Sequence, residues 1–123
     1  MKKLPDAEFE IMKAIWQSEE PVTSPVLTEL LRKTLPEKDW KPQTVLTMLV
    51  RLEKKGFLRS EKNGRERSYF TLISEKEYIR IEQESFRKRF SSGTFSGLVK
   101  ALYDGEQVSA EELDELRDWI NNM

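Results

Sequence analysis

The sequence predicts an α+β protein that is mainly helical, and three observations carry that prediction. Apolar residues recur at helical spacing in three stretches of the first 55 residues, two strand-like runs flank the dipeptide Asn63-Gly64, and helical periodicity returns from Ser74 onward. A length of 123 residues suits one compact core with an extension, not two full-sized domains around a cleft.

The first helix is expected to start with Asp6 as N-cap and to carry Phe9, Met12, Ile15 and Trp16 until Glu19-Glu20-Pro21 stops it. Thr23 or Ser24, followed by Pro25, opens a short second helix whose stripe is Val26, Leu27, Leu30 and Leu31, ending at Leu35-Pro36. Lys41-Pro42-Gln43-Thr44 opens the third, and Gly56 supplies its left-handed stop. Phe57–Lys62 and Glu66–Leu72 then read as two strands joined at Asn63-Gly64. Three helices followed by a basic hairpin is the order of a winged helix-turn-helix, placed here at residues 5–73.

Residues 74–123 are expected to form a helical dimerisation region. Tyr78, Ile79, Ile81, Phe86 and Phe90 lie among many charges, followed by Phe95, Leu98, Val99 and Leu102. A capping box of Ser109 with Glu112 starts the last helix, whose apolar face is Leu113, Leu116, Trp119 and Ile120. These segments are too few to enclose a core of their own. Phe86, Phe90, Leu98, Leu102, Leu113, Leu116, Trp119 and Ile120 are therefore expected to bury their stripes against a second copy, in a homodimer.

Composition narrows the function. The chain has no histidine and no cysteine, and so lacks the commonest zinc and copper ligands, a thiol nucleophile and the usual proton shuttle. No catalytic residue, metal or cofactor is expected, and adjacent acids such as Glu19-Glu20 and Glu111-Glu112 read as solvated surface. No apolar run reaches the roughly 20 residues needed to cross a bilayer, so the expectation is a cytoplasmic protein with no direct membrane insertion. The net charge of −1 conceals a division along the chain. Residues 38–67 hold nine Lys and Arg against four Asp and Glu, whereas the blocks before and after are net acidic. A polyanion responds to the local potential within about 8 Å at physiological salt, so a basic middle can bind DNA beside an acidic tail.

On a helical wheel started at Gln43, Val45, Met48, Leu49 and Leu52 fall between about 140° and 240°, the core face. Gln43, Thr44, Thr47, Arg51, Lys54 and Lys55 form a polar stripe free of acid, from 0° to about 120°. Such a stripe is either a solvated face or a helix that enters the major groove N-terminus first. Lys62, Arg65 and Arg67 around the hairpin turn favour DNA, with Lys41 as a further phosphate contact. Leu46 and Val50 border the stripe on its far side: they either pack against the second helix or touch thymine methyl groups. Trp16 and Trp40 read as packing residues. The other reading of the basic face is a protein-interaction module without sequence-specific DNA binding.

Three stretches, Ala7–Trp16, Thr44–Gly56 and Glu112–Asp118, carry a resemblance to the penicillinase-repressor family that extends over essentially the whole chain. The resemblance implies a transcriptional repressor that occupies double-stranded operator DNA as a homodimer and controls antibiotic (β-lactam) resistance genes. It also implies inactivation by a sensor-triggered protease that cuts in the dimerisation region. Thr44, Thr47 and Arg51 match the family's recognition helix in type, whereas Leu46 stands where the penicillin-resistance members carry arginine. The family's scissile Asn-Phe pair falls on Ala101-Leu102, which keeps an apolar second residue and loses the asparagine. The cysteine cluster of the family's copper-sensing branch has no counterpart in this cysteine-free chain.

Overall fold

A computed structural model describes residues 1–89, 97 and 109–121. Phe90, Leu98, Ala101 and Leu102 lie outside these residues, as do the side chains of Leu113, Leu116, Trp119 and Ile120. The order of elements is α1 (Asp6–Trp16), β1 (Val22–Thr23), α2 (Ser24–Thr34), α3 (Pro42–Lys54), β2 (Leu58–Asn63), β3 (Glu66–Thr71), α4 (Glu75–Arg89) and α5 (Ala110–Asn121). The sheet runs β1-β3-β2 with both pairings antiparallel. Three helices and this small sheet form the winged helix-turn-helix head.

The core of the head is built from one stripe of each helix. Ile11, Met12 and Ile15 of α1, Leu27 and Leu31 of α2, and Val45, Leu49 and Leu52 of α3 are all buried, and Phe57, Leu58 and Tyr69 close the sheet side. Burial of these stripes, more than helix propensity, holds helices of 11 to 13 residues in place.

Several boundaries differ from the sequence expectation for local reasons. Asp6 is the first helical residue and not the cap. Pro5 occupies the cap position in extended conformation and its carbonyl accepts from the Phe9 N–H at 2.9 Å, so Asp6 contributes only charge near the helix N-terminus. α1 ends at Trp16, before the acidic pair. Strand β1 escaped the sequence reading because two residues show no periodicity; Val22 pairs with Tyr69 and Thr23 with Ser68. In the hairpin Asn63 pairs with Glu66, so the two-residue turn is Gly64-Arg65 and not Asn63-Gly64. Gly64 supplies the φ of +66° that this turn needs and leaves Arg65 at the tip.

The chain divides into two compact units, Met1–Gln83 and Glu84–Met123. The head thus runs past residue 73, and Tyr78 of α4 is the reason. Its ring lies 5.7 Å from Phe9, 5.6 Å from Trp16 and 5.8 Å from Phe57 between centroids, and its Oη accepts from the Leu4 N–H at 2.8 Å while donating to Glu82 Oε1 at 2.7 Å. Trp16 Nε1 donates to the Ile73 carbonyl at 2.9 Å, which fits the packing role expected of it. Ser74 and Glu77 form a reciprocal capping box at the start of α4. In the second unit Phe86 is half-buried, and Ser109 with Glu112 makes the expected capping box on α5. No helix among the described residues is long and apolar enough to cross a membrane.

Burial pushes the Tyr78 phenol up to about 12, with the Glu82 carboxylate adding to the shift and the Leu4 N–H opposing it. An unfolded tyrosine ionises near 10, so the stability contributed by the neutral phenol is complete below about pH 10 and is lost as pH rises towards 12. Wild type is expected to lose about 2 kcal/mol of head stability through this group over that window. In Tyr78→Phe that component of the alkaline loss is absent, although the variant starts about 1 to 2 kcal/mol lower because the Leu4 N–H is left unpaired. Urea melts of both proteins from pH 9 to 12 measure the difference.

Candidate nucleic-acid interface

The third helix presents its two faces as its sequence pattern predicts. Val45, Leu49 and Leu52 are fully buried, Met48 and Thr47 are half-buried, and Gln43, Thr44, Arg51, Lys54 and Lys55 are exposed. Pro42 occupies the first turn and Lys41 the N-cap, and no side chain caps this end. Its first amides therefore remain open to an anion, which a helix N-terminus favours. The Thr47 hydroxyl donates back to the Gln43 carbonyl at 2.9 Å, leaving its oxygen lone pairs directed outward as acceptors. At the other end Gly56, with φ of +85°, reverses the chain into β2.

The cations sort into neutralised and unpaired groups. Arg59 is bound to Glu61 at 2.8 Å and stacked 4.0 Å over the Phe70 ring, Lys38 lies 5.9 Å over Trp40, and Lys41 makes an exposed pair with Asp39 at 3.7 Å that screening makes weak. Among the described residues no ion pair involves Arg51, Lys54, Lys62, Arg65 or Arg67. Lys62 and Arg67 are Cα partners across the hairpin. Two like charges directly opposite one another cost stability in an isolated sheet, and a polyanion laid against the wing removes that cost.

Lys55, expected to meet phosphate, has an intramolecular partner as well. It is the C-cap of α3, beyond the last turn, and its Nζ lies 2.6 Å from Glu8 Oε1. The Glu8 side chain is only 4% exposed, so this pair joins α1 to α3 across the interior edge of the head. Glu53, turned away from the polar stripe, accepts from Ser60 Oγ at 2.6 Å, and Ser60 Oγ in turn accepts from Arg67 Nη1 at 2.9 Å. This relay fixes the root of the wing to the end of α3 and holds the Arg67 guanidinium in place while leaving it exposed. Sequence reasoning missed it because the partners lie seven residues apart across a chain reversal.

A groove of about 610 Å³ joins the two candidate elements. Pro42 and Leu46 of α3, Arg65, Glu66, Arg67 and Tyr69 of the wing, and Thr28, Glu29 and Arg32 of α2 are among its lining residues. The Arg32 Nε donates to the Trp40 carbonyl at 3.0 Å, which ties the α2–α3 turn to this groove. Leu46 and Val50 are not fully covered by α2 or any other element: they are 39% and 47% exposed. Glu20, expected to be free in solvent, is exposed yet accepts from both the N–H and the hydroxyl of Thr71, and the hydroxyl bond first, then the N–H, hold its carboxyl below the usual carboxylate range. Among the described residues no cluster of three or more His, Cys, Asp or Glu could hold a metal ion.

The family model described as the penicillinase repressor matches residues 4–122. The chain is 41% identical over 119 residues to a penicillinase repressor of Bacillus licheniformis, covering 94% of this chain and 90% of that protein. It is 29% identical over 119 residues to the methicillin resistance regulatory protein MecI of Staphylococcus aureus strain N315, covering 97% of this chain and 94% of that protein. Among solved structures it is similar to the DNA binding domain of the repressor BlaI, with a TM-score of 0.52 at 41% identity, covering 64% of this chain and 95% of that one.

Proposed function

The chain belongs to the penicillinase repressor family, and from that premise we propose that it is a sequence-specific repressor that binds operator DNA through α3 and the wing. One observation carries the assignment of the surface: Arg65 and Arg67 of the wing, which make no ion pair among the described residues, line a single groove with Pro42 and Leu46 at the start of α3. Lys41, Lys54, Lys62, Arg65 and Arg67 supply phosphate contacts and salt-dependent affinity, while Gln43, Thr44, Thr47 and Arg51 reach base edges. The MecI and penicillinase-repressor relatives support genes of β-lactam resistance as the regulated set.

The protein works as a homodimer. A dimer places two recognition helices about 34 Å apart, one turn of the duplex, and couples their binding so that two modest affinities multiply. The apolar stripe of Leu113, Leu116, Trp119 and Ile120 on α5 supports pairing through the tail. A protease cutting near Ala101-Leu102 would remove that helix and uncouple the heads without altering the DNA surface.

Selection of bound sequences from random duplex DNA tests the reading. The expected product is a two-fold-symmetric site with half-sites one helical turn apart. Failure to enrich any sequence would contradict it and favour a protein partner for the basic face.

A further inference from the structure

Two large apolar side chains stand on the face of α3 that should be polar if water were its only neighbour. Leu46 and Val50 are one turn apart, 39% and 47% exposed, and they lie in the same open sector as Gln43 and Thr47. The adjoining groove is lined by Arg32, Arg65 and Arg67 against Glu29 and Glu66, a net positive set, and Arg51 follows next on the helix. That cationic frame suits a polyanion better than the apolar core of a protein interface, where charged residues are depleted.

Within a DNA duplex, the apolar group presented at the base edges of the major groove is the 5-methyl of thymine. We propose that Leu46 and Val50 form an apolar reader of thymine methyl groups, so that part of this protein's sequence preference is a methyl contact. The inference rests on the DNA-binding reading above and assigns two residues that hydrogen-bonding arguments leave without a role. Their geometry is suited to it. Val50 is β-branched and held to essentially one rotamer on a helix, so little of its side-chain freedom is lost on contact.

The test uses the full chain and the site selected from random duplexes, with thymine replaced by uracil at one position of each half-site at a time. Uracil keeps every hydrogen-bonding edge of thymine and removes only the methyl group. Wild type is expected to bind about 4-fold more weakly for each methyl lost from contact, at one or two positions per half-site. Leu46→Ala or Val50→Ala should abolish that discrimination at its own position, while binding of the unmodified site persists through the phosphate contacts. Tight binding of the selected site with no uracil effect at any position overturns the proposal, as does a uracil effect that survives in both variants. Failure to select any site would instead overturn the DNA-binding reading beneath it.

Discussion

Replacing Lys62, Arg65 and Arg67 together by alanine is expected to lower affinity for the selected duplex by about 100-fold per head, about 10,000-fold for the dimer, near 0.15 M salt, while leaving the fold intact. Each phosphate contact contributes about −0.9 to the slope of log affinity against log salt, so a contact is worth about 5-fold at 0.15 M relative to 1 M. Three contacts per head compound to the expected loss, and the slope should flatten by about 2 to 3 for each head. The structure predicts an unusual companion result. Because Lys62 and Arg67 oppose one another across the hairpin and make no ion pair among the described residues, relief of their repulsion should offset the lost Arg67–Ser60 hydrogen bond, and the melting temperature should change little. Fluorescence anisotropy at several salt concentrations, with a thermal melt of the same samples, measures both. Weakened binding with an unaltered slope would mean that the wing acts other than by phosphate contact.

Lys55→Met is expected to have the opposite profile, with a large loss of stability and no change in salt slope. Glu8 is 3% exposed and its carboxylate relies on the Lys55 ammonium at 2.6 Å. Removing one partner of a fully buried pair costs about 3 to 5 kcal/mol, and the half-open position of Lys55 reduces this to about 2 kcal/mol. For a head of this size that lowers the melting temperature by about 10 °C. The double variant Glu8→Leu with Lys55→Met should recover most of the loss, since no unpaired charge then remains inside. If Lys55 instead contacted phosphate, as its place on the wheel suggests, the single variant would melt normally and show a flatter salt slope.

Lys55 also illustrates what the sequence makes legible. A helical wheel sorts α3 correctly where the helix is regular: Val45, Leu49 and Leu52 are buried, and Gln43, Thr44 and Arg51 are open. At Lys55, which it also places on the open face, it does not reveal the ion pair with an acid from α1, 47 residues earlier. Periodicity likewise reveals α1, α2 and both wing strands but not β1, whose two residues depend on pairing with Tyr69 and Ser68. The end of the head was hidden for a related reason: Tyr78 belongs to the helical pattern of α4 yet docks among Phe9, Trp16 and Phe57. Local chemistry determines elements, and contacts distant in sequence determine which charges remain free for a partner. The sorting of cations into paired Arg59 and Lys55 and unpaired Arg51, Lys54, Lys62, Arg65 and Arg67 therefore needed the fold.

The central claim is that α3 and the wing together form the DNA surface. Backbone amide chemical shifts of the full chain, recorded by NMR while the selected duplex is titrated in, test it most directly. The account predicts that the largest changes fall on Lys41–Arg51 and on Lys62–Arg67, with the α1 surface around Lys13 and Gln17 unaffected. Changes centred on α1 or α5, with the α3 and wing amides unmoved, would contradict it.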